Sequence, residues 1–207
     1  MIRRRDRAER RRIVTLVSVI ATTVTLAACD GTDDGAVRSE PLRVAAASDL
    51  MPVFTELGED FAAETGETVV FSFGSSGQLA QQLIEGAPMD LYLAANVAFV
   101  ERVLDEGVGD PATQMTYAQG RLALWATEAV WGGWDDGGRD DLDPDATGGS
   151  GRWVLVDETL HEPLQQDLVI TTSDPRRAAL AQRFIDHLTG PRGRDVLERF
   201  GLLAEGG

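Results

Sequence analysis

An α/β fold, with a parallel or mixed sheet flanked by helices, is predicted from three observations on this sequence. From residue 42 to residue 106, strand-like and helix-like stretches alternate with tight connections. The strand-like stretches are short and almost wholly apolar, as strands buried on both faces are. The helix-like stretches instead repeat their apolar residues at three- and four-residue spacing. At 207 residues the chain holds one domain or two small lobes.

Leu42–Ala47 opens the fold as a buried strand, with Ser48 behind it as a helix N-cap candidate. Residues 49–65 then carry Leu50, Val53, Phe54, Leu57, Phe61 and Ala62 along one helical face, and Gly66 stops the helix. Thr68–Phe73 is a second strand, Gly74-Ser75-Ser76-Gly77 a turn, and Gln78–Ile84 a second helix. Asp90–Ala95 and Val97–Glu106 repeat the pair, and Arg121–Thr127 is a further strand with Tyr117 in its approach. The rhythm then fails. Residues 128–152 are rich in Gly and Asp and hold no period. Trp153–Val156 and Asp167–Thr171 read as strands. Asp174-Pro175 reads as a cap with proline in the first turn of a helix through Leu188, and a last helix spans Arg192–Phe200.

The N-terminus reads as a targeting segment. Seven arginines precede Ile13–Ala28, 16 residues without a charge. A membrane-spanning helix needs about 20 apolar residues, so the run suits a signal peptide better. Its Leu26-Ala27-Ala28-Cys29 ending resembles the lipobox of bacterial lipoproteins. That resemblance implies cleavage after residue 28, lipid on Cys29, and an extracytoplasmic protein anchored to the membrane by a small polar tether over residues 29–41. Cys29 is the only cysteine, so no intramolecular disulfide can form.

Charge excludes one class of partner. Beyond residue 28 the chain carries 12 arginines, no lysine and 32 acids. Such a surface repels nucleic acid, and any anion bound here must be held by local donors. The serine turns supply such donors. Ser48 and Ser76 both follow a strand and open a helix, where main-chain N–H groups lack partners and the dipole favours an oxyanion. On residues alone each serine is a cap, a ligand, or both.

A family resemblance bears on that choice. "VAAASDL", followed after a helix by "FSFGSSGQLAQQLIEGAPMDLYLAAN", is similar to the periplasmic molybdate-binding proteins of ABC transporters, as are "LHEPLQQDLVITTS" and "FIDHLTGPRGRDVLERFGL". The resemblance covers residues 42–127 and about 153–203 and implies a periplasmic-binding-protein-like lobe across 42–207. It implies that Ser48 and Ser76, with Ser75 beside the latter and N–H groups near Asp49 and Gly77, form half of an oxyanion site. The ligand would be molybdate or tungstate, held without a cofactor, and the partners a membrane permease and its ATPases. "AAN" at 94–96 departs from the family's more usual Ala-Asp.

The other half of that site is not legible. The family's second lobe supplies further main-chain donors and a tyrosine, and the segment that carries them is missing. Residues 127–153 read as a loop replacing most of that lobe, and neither Tyr92 nor Tyr117 matches the ligand position. A degenerate lipoprotein using the fold as a protein-interaction surface is therefore the competing expectation. Asp141, Asp143 and Asp145 have calcium-loop spacing but lack the glycine and the glutamate such a loop needs, so a solvated acidic loop is the better reading. His161 and His187 stand alone, which argues against zinc. Without a His/Asp pair behind either serine, hydrolase chemistry has no support.

Overall fold

The computed structural model describes residues 40–127 and 152–204. The expected signal peptide, Cys29, most of the expected tether and the Asp-rich stretch lie outside them. Strand β1 (Leu42–Ala47) leads through a 3-10 turn, Ser48–Leu50, into helix α1 (Met51–Thr65). Strand β2 (Val69–Gly74) leads into α2 (Ser76–Ile84), and β3 (Leu91–Ala94) into α3 (Val97–Asp105). Strands β4 (Met115–Gly120) and β5 (Ala123–Ala126) follow. Beyond the undescribed stretch come β6 (Arg152–Leu155), β7 (Leu164–Ile170), α4 (Pro175–Thr189), α5 (Pro191–Arg199) and β8 (Leu203–Ala204).

The main sheet has the order β2-β1-β3-β7-β4-β8. Its first three strands are parallel, while β7 runs antiparallel to both β3 and β4, and β8 antiparallel to β4. The sheet is therefore mixed. Strand β4 is a strand that the sequence reading treated as an approach: Met115–Gly120 does not alternate cleanly, and its ladder to β7 shifts register between Thr116 and Ala118. A separate ribbon pairs β5 with β6, antiparallel.

Each face of the sheet carries its own core. On one face Leu42, Val44 and Ala46 of β1 meet Val53, Phe54, Leu57 and Phe61 of α1, with Phe184 and Leu188 of α4 and Val196 and Leu197 of α5. Burying each such large side chain contributes about 1.5–3 kcal/mol. On the other face Ala45, Tyr92, Ala94 and Val169 meet Leu79, Ala80 and Leu83 of α2 and Val100 and Val103 of α3. The two-residue period of β1 and the helical stripe of α1 thus assign opposite faces, as the sequence pattern requires. Gly66 ends α1 with φ at 74°, a left-handed conformation that glycine adopts without strain.

Candidate functional site: three strand ends at one edge

The parallel ladder of β1 with β2 ends on the pair Ala47 and Gly74, so Ser48 and Ser75 leave neighbouring strands at one level. Adjacent strands run about 4.8 Å apart. On the other side of β1, Ala46 pairs with Leu93, which brings Ala94 and Ala95 beside Ala47 and Ser48. Three chain segments therefore emerge together at the carboxyl edge of the sheet, where ligands of open α/β sheets sit.

Ser48 is exposed and opens the 3-10 turn. The expected N-cap role is not met: Ala47 occupies the cap position, and no side chain makes a capping bond. The cause is local, since the chain turns in 3-10 form for three residues before α1 begins at Met51. Asp49, also exposed, stands in the first turn. Its N–H suits an anion, whereas its carboxylate repels one.

The Ser-Ser turn divides two tasks between neighbours. Ser75 is the N-cap of α2, its Oγ accepting from Gln78 N–H at 3.3 Å, and it is exposed. Ser76 is the first residue of the helix and only 7% exposed. Its Oγ accepts from Ala95 N–H at 3.1 Å, and its carbonyl accepts from the Tyr92 hydroxyl at 2.7 Å. Both bonds tie the start of α2 to β3 and its end. The Ser76 Oγ keeps its own proton to donate. Burial pushes the Tyr92 phenol up, so it stays a donor to the Ser76 carbonyl.

The glycines around this turn have packing reasons. A Cβ on Gly77 would lie 3.2 Å from the ring of Phe99, and one on Gly74 3.3 Å from the Leu79 side chain. Close approach of helix to helix and of helix to its own strand therefore accounts for them without a ligand. Asn96, where the sequence departs from the family, caps α3 by accepting from Ala98 N–H at 2.8 Å. An Asp would cap there as well, so the change is conservative for the helix.

One further residue at this edge was not singled out by sequence reasoning. Asp167 pairs in register with Ala94 and is 1% exposed. It accepts from Thr116 Oγ1 at 2.9 Å and from Gln114 Nε2 at 2.8 Å. The only signal in the sequence was an acid at the start of an otherwise apolar run. Tyr117 lies in β4 and is 1% exposed. Elsewhere, a cavity of about 480 Å³ lies at the root of the β5–β6 ribbon, lined among others by Arg121, Asp157, Glu158 and His161. Its mixed charge does not suit a dianion.

Comparison with known proteins agrees with the fold. Residues 42–144 match the family model of bacterial extracellular solute-binding proteins. The chain is 26% identical to the molybdate-binding protein ModA of Azotobacter vinelandii over an alignment that covers 88% of this chain and 95% of that one. It is 38% identical to ModA of Rhodobacter capsulatus over 73 residues, 29% of that protein's length. Among solved structures, the A. vinelandii periplasmic molybdate-binding protein superposes with a TM-score of 0.64 at 22% identity, covering 80% of this chain and all of that one. The sulfate-binding protein SubI of Mycobacterium tuberculosis superposes with a TM-score of 0.61 at 12% identity, covering 80% of this chain and 87% of that one. These structural likenesses carry the fold, and the shared sequence carries the kinship. The chain is thus similar to the bacterial extracellular solute-binding proteins over residues 42–144, and to the molybdate-binding proteins over most of its length.

Proposed function

We propose that this protein is a lipid-anchored extracytoplasmic receptor for a tetrahedral oxyanion of the molybdate or tungstate type, which it hands to an ABC permease driven by cytoplasmic ATPases. The observation that carries this reading is the register of three helix-opening strand ends, which brings Ser48, the Ser75–Ser76 pair and the Ala95 segment to one edge. Hydroxyls and helix-start N–H groups are the donors available there. Hydrogen bonds to a charged acceptor contribute about 1.5–3 kcal/mol each, so a few of them hold a dianion in an acidic protein. Ser48 and Ser76 supply hydroxyls, Ser75 fixes the helix start, and the N–H groups of Asp49 and Gly77 complete this half.

A second reading, a protein-interaction surface, is favoured by one feature. Strand β5 is exposed over its first three residues, with Leu124 49% and Trp125 42% exposed and Leu122 beside them at 41%. Isothermal calorimetry of the full chain in detergent with molybdate, tungstate and sulfate separates the two. Heat with molybdate or tungstate that is lost in the Ser48→Ala/Ser76→Ala double variant supports the receptor. Silence from a folded protein with all three ions sinks it and leaves the interaction surface.

A further inference from the structure

The Tyr117 side chain is 1% exposed, and its hydroxyl has no hydrogen-bond partner among the described residues. Buried hydroxyls are nearly always paired, and an unpaired one is costly, so its retention calls for a partner. The ring meets Phe54, in the first turn of α1, edge-on at 6.2 Å between centroids. The charges acting on the phenol are those of Asp49, in the turn directly after Ser48, and Asp167, the register partner of Ala94. Its neighbour Thr116 pairs with Asp167, the register partner of Ala94, so Tyr117 comes level with the strand ends that carry the serines, its ring on the α1 side. Both oxygens of Asp167 already accept bonds, from Thr116 and Gln114. Burial first, and then the two carboxylates, push the phenol well above its usual range. It remains a protonated donor with no acceptor among the described residues.

We propose that the Tyr117 hydroxyl is a further donor to the bound oxyanion, delivered from β4 at the edge that carries the serines. This rests on the oxyanion reading above. Because the hydroxyl is buried, its contact with the anion requires a local shift on binding, and the Ser48–Leu50 turn, whose Ser48 and Asp49 are exposed, is the element that would make it. Gln166 is the competing partner: it pairs with Ala118 in register, and its Oε1 is likewise buried and unpartnered.

The chain holds only two tyrosines, Tyr92 and Tyr117, so their ring carbons give two resolvable signals in a sample labelled at tyrosine Cζ. Titrating the full chain with molybdate is expected to move the Tyr117 signal, identified by its loss in Tyr117→Phe, more than that of Tyr92. In calorimetry, Tyr117→Phe is expected to bind molybdate about tenfold or more weakly, equivalent to about 1.4 kcal/mol, while the empty variant melts no lower than wild type. Unchanged affinity with an unmoved signal overturns the proposal while leaving the oxyanion reading intact. A lower melting temperature of the empty variant with unchanged affinity overturns it in favour of Gln166. A wild-type protein that binds no oxyanion removes both readings together.

Discussion

Asp90 and Arg177 illustrate what a single pair of side chains does here. Asp90 is 3% exposed and accepts Arg177 Nε at 2.6 Å, Arg177 Nη2 at 2.5 Å and the Arg43 main-chain N–H at 2.7 Å. The hydrogen bonds to Asp90, followed by its charge, hold the Arg177 guanidinium above its usual range. Removing one member of a buried pair leaves the other uncompensated and costs about 3–5 kcal/mol. Arg177→Met is therefore expected to lose about 3 kcal/mol or more in a urea melt, and a loss below about 1 kcal/mol would show that solvent already screens the pair. Neither partner was legible as such. They lie 87 residues apart, and only the packing of α4 over the start of β1 and β3 brings them together. The serines differ. Their types, glycine neighbours and strand-end positions were all readable, but not which serine caps and which is buried, because that depends on the path of α2 against β3.

Helices α4 and α5 meet at a corner that the sequence marked only as the interval between Leu188 and Arg192. The demanding residue is Gly193. A Cβ there would lie 2.0 Å from the Leu188 carbonyl oxygen and 2.5 Å from that of His187. Neither atom can swing aside as a side-chain tip would. Gly193→Ala is thus expected to cost about 2 kcal/mol or more, as overpacking against backbone does, and to separate α5 from α1, where Arg192 and Arg199 meet Asp60 and Glu56. A thermal melt within a degree or two of wild type would refute this. The elements themselves were mostly readable, because α1 to α5 carry apolar stripes and Asp174 caps α4 through its bonds from Arg176 and Arg177 N–H. Strand β4 was not, since its pairing is set by β7 rather than by its own pattern.

Across the molecule, β1 separates two tasks by its length. Glu40 and Pro41 at its start are held by Arg177, and Arg43 also binds Glu40, whereas Ser48 lies beyond its far end. Six residues of strand span about 20 Å. The start of β1 therefore lies about 20 Å from the end that leads into Ser48. If Cys29 carries the lipid, cell fractionation will find the wild-type chain with membranes and Cys29→Ala in the soluble fraction. A wild-type chain recovered free of membranes would rule the anchor out.

By itself the sequence determined the alternation of strands and helices, the faces they bury and the residue types at the strand ends. These follow from local periodicity, capping and turn chemistry, which act over a few neighbouring residues. Tertiary structure alone decided the antiparallel insertion of β7 between β3 and β4, the meeting of Ser76 with Ala95, the Asp90–Arg177 pair and the seclusion of Tyr117. Each of these joins residues distant in sequence. No local preference encodes them, because their energies arise only when the sheet brings the partners into register and excludes water from between them.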